Sequence, residues 1–142
     1  MKRKSIKPKL PRLSRRKKVL WELCKQIIRK RYVKDDGTWD CYTCGRRIDV
    51  PKKAHTGHCL NAAFGGLRLR YFLDNLRIQD HYCNINLGSN GAVYLRRLEA
   101  EVGHEQIDFM FSLLAQKKTP IEDERAFIEN LITEYRLILK KL

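Results

Sequence analysis

Three cysteines and two histidines fall within one short stretch, from Cys41-Tyr-Thr-Cys44-Gly45 to His55, His58 and Cys59. A Cys-x-x-Cys-Gly knuckle offers two thiolates on a tight turn, and thiolates suit zinc. A closed structural site takes four ligands, so the knuckle names half of one. Two closures are open. His55 and His58 would complete a two-Cys, two-His finger, although their spacing is shorter than such fingers use. Alternatively Cys83 joins from downstream, in Gln79-Asp-His-Tyr-Cys83-Asn84, with His81 or Asp80 as the fourth ligand. The downstream closure is favoured, because Cys83 follows a strand and precedes a helix, where zinc would pin both to the knuckle. For the fourth ligand the balance tips to His81, since imidazole binds zinc better than carboxylate. Asp80, however, keeps the two-residue spacing to Cys83.

A downstream closure leaves both histidines free for chemistry. In a regular strand residues three apart face opposite sides, so convergence of His55 and His58 needs a kink, which Gly57 permits. Asn84, directly after Cys83, can offer its carbonyl oxygen to the same point. The expected constellation is an open metal site with His55 and Asn84 as ligands and His58 unligated beside it. Such a site suits phosphodiester hydrolysis: a neutral histidine takes a proton from water, and the cation stabilises charge on phosphate and leaving oxygen.

Cys41 and Cys44, Gly57-His58, the Asn75–Gln79 strand, Cys83-Asn84 and Ser89-Asn90 together carry a family resemblance. Over residues 39–103 the chain resembles the phage NinG/Rap recombination endonucleases, a branch of the His-Asn-His, or ββα-metal, nucleases related to the endonuclease VII group. The resemblance implies a metal-dependent endonuclease acting on branched recombination intermediates such as Holliday junctions. It implies His55 and Asn84 as ligands of a catalytic divalent cation, His58 as the general base, and a separate structural zinc. Two positions depart from the family. Relatives usually carry aspartate where His55 stands, and a histidine ligand suits softer ions than Mg²⁺, which leaves Mg²⁺, Mn²⁺ or a softer ion as the catalytic metal. Relatives also often carry cysteine where Asp80 stands.

The charge distribution points the same way. The 142 residues carry a formal net charge of +14. Ten Lys or Arg and no acid fall in residues 1–18, so the remainder is only mildly basic. Such an arm attracts polyanions, nucleic acid above all. Lys2, Arg3, Lys4, Arg15, Arg16, Lys17 and Lys18 are the candidate DNA-binding residues, together with Arg68 and Arg70; Arg77 is a weaker candidate. A membrane partner is disfavoured, because Pro8 and Pro11 break helix and the arm has few apolar residues. Without a membrane-length apolar stretch or a signal-peptide core, the expectation is an intracellular, cytoplasmic protein. Cysteines there are metal ligands or buried thiols, and Cys24 and Cys59 read as the latter.

These residues need elements to position them. Leu20, Leu23, Cys24, Ile27 and Ile28 recur at helical spacing, predicting an amphipathic helix over 14–33 after a flexible basic arm, 1–13. Residues 34–103 form the zinc-stabilised nuclease module, with Arg68–Phe72 and Asn75–Gln79 as strands and a helix ending near Gly103. Residues 104–142 form a helical pair. Its second helix is expected to start at a capping box, Thr119-Pro-Ile-Glu122. That helix carries an apolar stripe from Ile121 to Leu142, either core or dimer interface. The fold class is α+β: a small zinc-stapled ββα-metal, HNH-like module flanked by an N-terminal helix and C-terminal helices. The function expected is structure-selective DNA cleavage, with a noncatalytic zinc-finger nucleic-acid-binding protein as the alternative. Paired cuts in a symmetric junction favour a homodimer.

Overall fold

The computed structural model describes residues 8–142. Lys2, Arg3 and Lys4 lie outside that range. Helix α1, Leu13–Tyr32, buries Leu20, Leu23, Cys24, Ile27 and Ile28, the stripe its periodicity predicts. It packs along α5, Glu124–Lys141, which buries Ile128, Ile132 and Tyr135. The C-terminal stripe is therefore core, covered by α1. Two ion pairs tie the helices at their rim: Arg16 grips Glu129 through both carboxylate oxygens, at 2.6 and 2.9 Å, and Lys17 meets Glu124.

In the chain between these helices come two two-stranded antiparallel sheets. Strands β1, Trp39–Asp40, and β2, Arg47–Ile48, frame the Cys41–Cys44 knuckle. Gly45 takes φ +77° there, a conformation that glycine adopts without penalty. Strands β3, His55–His58, and β4, Leu76–Gln79, pair in regular register, His55 opposite Gln79 and His58 opposite Leu76. The Tyr42 amide donates to the Ile78 carbonyl, which joins the knuckle to β4. Helix α2, Ala62–Arg70, falls between β3 and β4. After β4 comes a single π-helical turn, Tyr82–Asn86, then α3, Gly91–Val102, and α4, His104–Ala115. A second core of Cys59, Leu69, Tyr94, Leu98, Ile107 and Met110 joins α2, α3 and α4.

The architecture is mixed helix and small sheet, compatible with α+β. Two local expectations are corrected. Arg68–Phe72 is not a strand: its first three residues end α2, where Asn61 caps the helix by accepting from the Ala63 amide. The buried Asn75 side chain donates to the Leu69 and Leu60 carbonyls, and it accepts from the Leu60 amide. Those bonds fold the segment back over β3 in a way no local β-propensity reveals. Nor does the last helix start at Thr119. Asp123 caps it, its carboxylate accepting from the Ala126 amide at 2.9 Å. A carboxylate at a helix N-terminus gains from the dipole as well as from the hydrogen bond, which a threonine hydroxyl does not match.

Candidate metal centre and histidine site

Cys41, Cys44, Asp80 and Cys83 converge, with one ligand atom from each lying within 4.8 Å of every other. The knuckle turn presents Cys41 and Cys44. Asp80 stands at the end of β4, and its Oδ1 accepts the Cys83 amide at 2.8 Å. That bond closes the turn and sends Oδ2 to the Cys44 sulfur, at 3.0 Å. Three thiols and one carboxylate are a zinc-type donor set. Burial and the bond to Asp80 push the Cys44 thiol up to about 12. Burial works against ionisation of Asp80, yet the Cys44 thiol and Cys83 amide hold its carboxyl below the usual range. The group can hold a metal ion such as zinc. Of the two candidates for its fourth member the structure brings in Asp80, not His81. The reason is the turn: once Asp80 faces the sulfurs, the next side chain is carried out to solvent. Neither His55 nor His58 joins the cluster, so the two-Cys, two-His finger is not the arrangement found.

His55 and Asn84 meet beside Gly57. Asn84 Nδ2 and His55 Nδ1 are 3.2 Å apart. His81 packs edge-on against the His55 ring, centroids 5.2 Å apart. Burial, and then the charges of His81 and Arg29, hold the His55 imidazole below its ordinary value. The expected kink at Gly57 is absent, since β3 is regular and Gly57 pairs with Arg77. Gly57 has another reason to be glycine: a Cβ there would lie 2.0 Å from Gln79 Oε1 and 3.0 Å from Asn84 Oδ1. Gln79 is fully buried, and its amide nitrogen donates to Thr43 Oγ1 and the Ser89 carbonyl. Its Oε1 has no hydrogen-bond partner among the described residues.

His58 leaves the strand on the face opposite His55, as the three-residue offset requires. Its ring stacks on Trp21 of α1, 5.2 Å between centroids and 8° from parallel. Its Nε2 lies 3.0 Å from the Arg70 carbonyl oxygen. Burial, reinforced by the Arg70 charge, lowers its pKa against the raising effect of that hydrogen bond. A carbonyl can only accept, so Nε2 carries the proton and Nδ1 keeps a free lone pair in the neutral ring. The strand's fixed partners are completed by Tyr94, whose hydroxyl donates to the Gly57 carbonyl.

A family model described as the bacteriophage lambda NinG protein matches residues 1–142. The chain belongs to the NinG family. No curated protein and no solved structure gives a significant match.

The basic residues of this NinG chain divide sharply. Arg16 and Lys17 are engaged by α5, which leaves Arg15 and Lys18 as exposed cations of that turn. Arg68 donates to the Gln116 and Thr119 carbonyls and so holds the α4–α5 connection. Arg70 is exposed, its guanidinium 5.9 Å from the Tyr71 ring centre. Arg77 is no surface contact: it is 3% exposed, pairs with Glu101, and lies over the Tyr32 and Tyr42 rings. Sequence reasoning missed the structural parts of Asn75 and Gln79, and the place of His81 beside His55. The signal for the first two was present, an Asn just before and a Gln at the end of a short strand-like apolar run, β4, which buries all its residues. Buried amides must spend their polar atoms on named partners.

Proposed function

We propose that this NinG-family protein is a metal-dependent endonuclease that hydrolyses DNA phosphodiester bonds, with the zinc-type cluster serving structure. The observation that carries the reading is the meeting of His55 Nδ1 with the Asn84 amide at 3.2 Å. That separation is close to the edge between neighbouring ligands on one divalent ion, about 3 Å for ligands some 2.1 Å from the metal. Rotating the amide by half a turn would present Asn84 Oδ1 beside His55. It would also turn Nδ2 towards Gly57, the side on which Gln79 Oε1 lacks a donor. The residues therefore fit a cation ligand pair, and one unpaired buried acceptor is better satisfied in that orientation.

A divalent cation bound there would supply charge stabilisation to the phosphate and the leaving oxygen. His58 has the properties of a general base: burial keeps the ring neutral, and the Arg70 carbonyl commits the proton to Nε2. Nδ1 is then the atom free to accept a proton, and because His58 and the His55–Asn84 pair stand on opposite faces of β3, its share in the reaction rests on the family resemblance. Trp21 holds the ring plane, so the lone pair keeps one direction. Preference for branched recombination intermediates such as Holliday junctions, and the homodimer that paired cuts favour, follow from the family resemblance. The test is incubation of purified protein with four-way junction, flap and duplex DNA in Mg²⁺, Mn²⁺ and Co²⁺. Cleavage with junctions preferred is the expected result. If no divalent ion supports cleavage, the chain is a noncatalytic zinc-stabilised binding protein instead.

A further inference from the structure

A cleft of about 560 Å³ opens in front of His55, bounded by β2, the turn at Pro51–Lys53 and the start of the π-helical turn. Arg46 and Arg47 at β2, Lys52 and Lys53 of the turn, and His55 and His81 line it. Two carboxylates also line it, but Asp80 is turned to the sulfur cluster, which leaves Asp49 to face four cations. Among the described residues Arg46, Lys52 and Lys53 form no ion pair, and Arg47 reaches only the half-exposed Asp36, at 3.3 Å.

We propose that this cleft is the track for the phosphodiester backbone of DNA, leading it to the His55–Asn84 pair. It rests on the nuclease reading for the identity of the polyanion. Unpaired like charges gathered on one concave surface repel, and a polyanion laid among them removes that cost. The walls are also held in place. Arg29 of α1 donates to the Pro51 carbonyl at 2.9 Å and to the Ala54 carbonyl at 2.7 Å, which fastens the turn carrying Lys52 and Lys53. The Cys41 amide donates to the Arg46 carbonyl at 2.8 Å, which fastens the segment carrying Arg46 and Arg47. Tyr82, 53% exposed, stands at the edge of the cleft, where an aromatic face can meet a base.

The larger cleft beside Tyr42, about 640 Å³, lacks this character. There Lys34 pairs with Asp40 and Arg97 donates to the Tyr42 carbonyl, so its cations are already engaged. The cavity between α4 and α5 is walled mostly by Phe, Tyr and Leu. Of these three, the cleft at His55 is the one that combines free positive charge with a candidate cation ligand, His55, whose partner Asn84 lies 3.2 Å away.

The experiment uses zinc-loaded, full-length protein without added Mg²⁺ or Mn²⁺. Fluorescence anisotropy would follow binding to a labelled duplex and a labelled four-way junction between 50 and 200 mM salt, a range over which binding to phosphates weakens strongly. K52Q/K53Q and R46Q/R47Q alter the two basic segments that line the cleft, and K140Q/K141Q in the last turn of α5, outside the cleft lining, is the control. Each cleft pair should lower the log–log salt slope by about 0.9 for every phosphate it no longer neutralises, and should weaken binding about tenfold, on both DNAs. The control should leave both unchanged. An unchanged slope in both cleft pairs, or an equal fall in the control, overturns the proposal. Binding is read apart from cleavage: wild type that never cuts, with reduced slopes in the cleft variants, removes the nuclease reading alone. Active wild type with unaltered slopes removes the cleft alone.

Discussion

His55 and Asn84, twenty-nine positions apart in the chain, are neighbours across 3.2 Å, because the π-helical turn after β4 brings Asn84 to the face of β3 that His55 shares with Gly57. His58, on the same strand, faces Trp21 instead. A cation ligand pair and a neutral imidazole can thus be altered separately.

Replacing His58 with alanine should lower cleavage of junction DNA by about 10²–10⁴ while zinc content and DNA affinity stay near wild type. His55→Ala and Asn84→Ala should instead raise the concentration of Mn²⁺ needed for half-maximal rate. Excess metal should partly restore those two and leave His58→Ala unrescued. A wild-type rate from His58→Ala would exclude it as the base.

Gly57→Ala tests the packing behind the pair. Its new Cβ would meet Gln79 Oε1 at 2.0 Å, far inside van der Waals range, with a buried amide that has little freedom to retreat. Overpacking of this kind costs about 1–3 kcal/mol, read as a lowered thermal midpoint. A midpoint equal to wild type would mean that Gln79 can move aside.

Zinc content separates Asp80 from His81. Cys44→Ala, Cys83→Ala and Asp80→Ala should each reduce the zinc measured in purified protein, since each removes one member of the converging group. His81→Ala should retain it. Retention by Asp80→Ala together with zinc depletion in His81→Ala would reverse the assignment.

Acidification should destabilise the fold in part through His58. Burial, and then the Arg70 charge, hold its folded pKa below the ordinary value, and the stacked Trp21 adds no charge. Below about pH 6.5 the unfolded chain takes up a proton that the folded ring resists. Stability from this group is therefore full above that pH and is lost as pH falls through the folded pKa. Between pH 7.5 and 5.5 the thermal midpoint of wild type should fall more than that of His58→Gln. Parallel profiles would show that His58 titrates normally.

Much of the helical framework was legible because helices advertise themselves locally. The apolar stripe in α1 and the Gly103 stop after α3 lie within a few turns of chain, and the structure has helices there. The Cys41–Cys44 knuckle was legible for the same reason, since two thiols and a glycine turn need no distant partner. The Asn75 bonds that hold the end of α2 against the segment after β3 were not, because they join residues up to fifteen positions apart.

The sequence by itself determined residue types: which thiols can bind zinc, which imidazoles can titrate, and where charge concentrates. Tertiary structure alone decided their partners. It chose Asp80 over His81 because one backbone bond to Cys83 aims the carboxylate at sulfur. It drew Arg77 into the interior between two tyrosines and Glu101, and left Arg46, Lys52 and Lys53 facing one cleft without ion pairs among the described residues. A spacing pattern records distance along the chain, whereas ligation, ion pairing and electrostatic focusing fall off with distance through space.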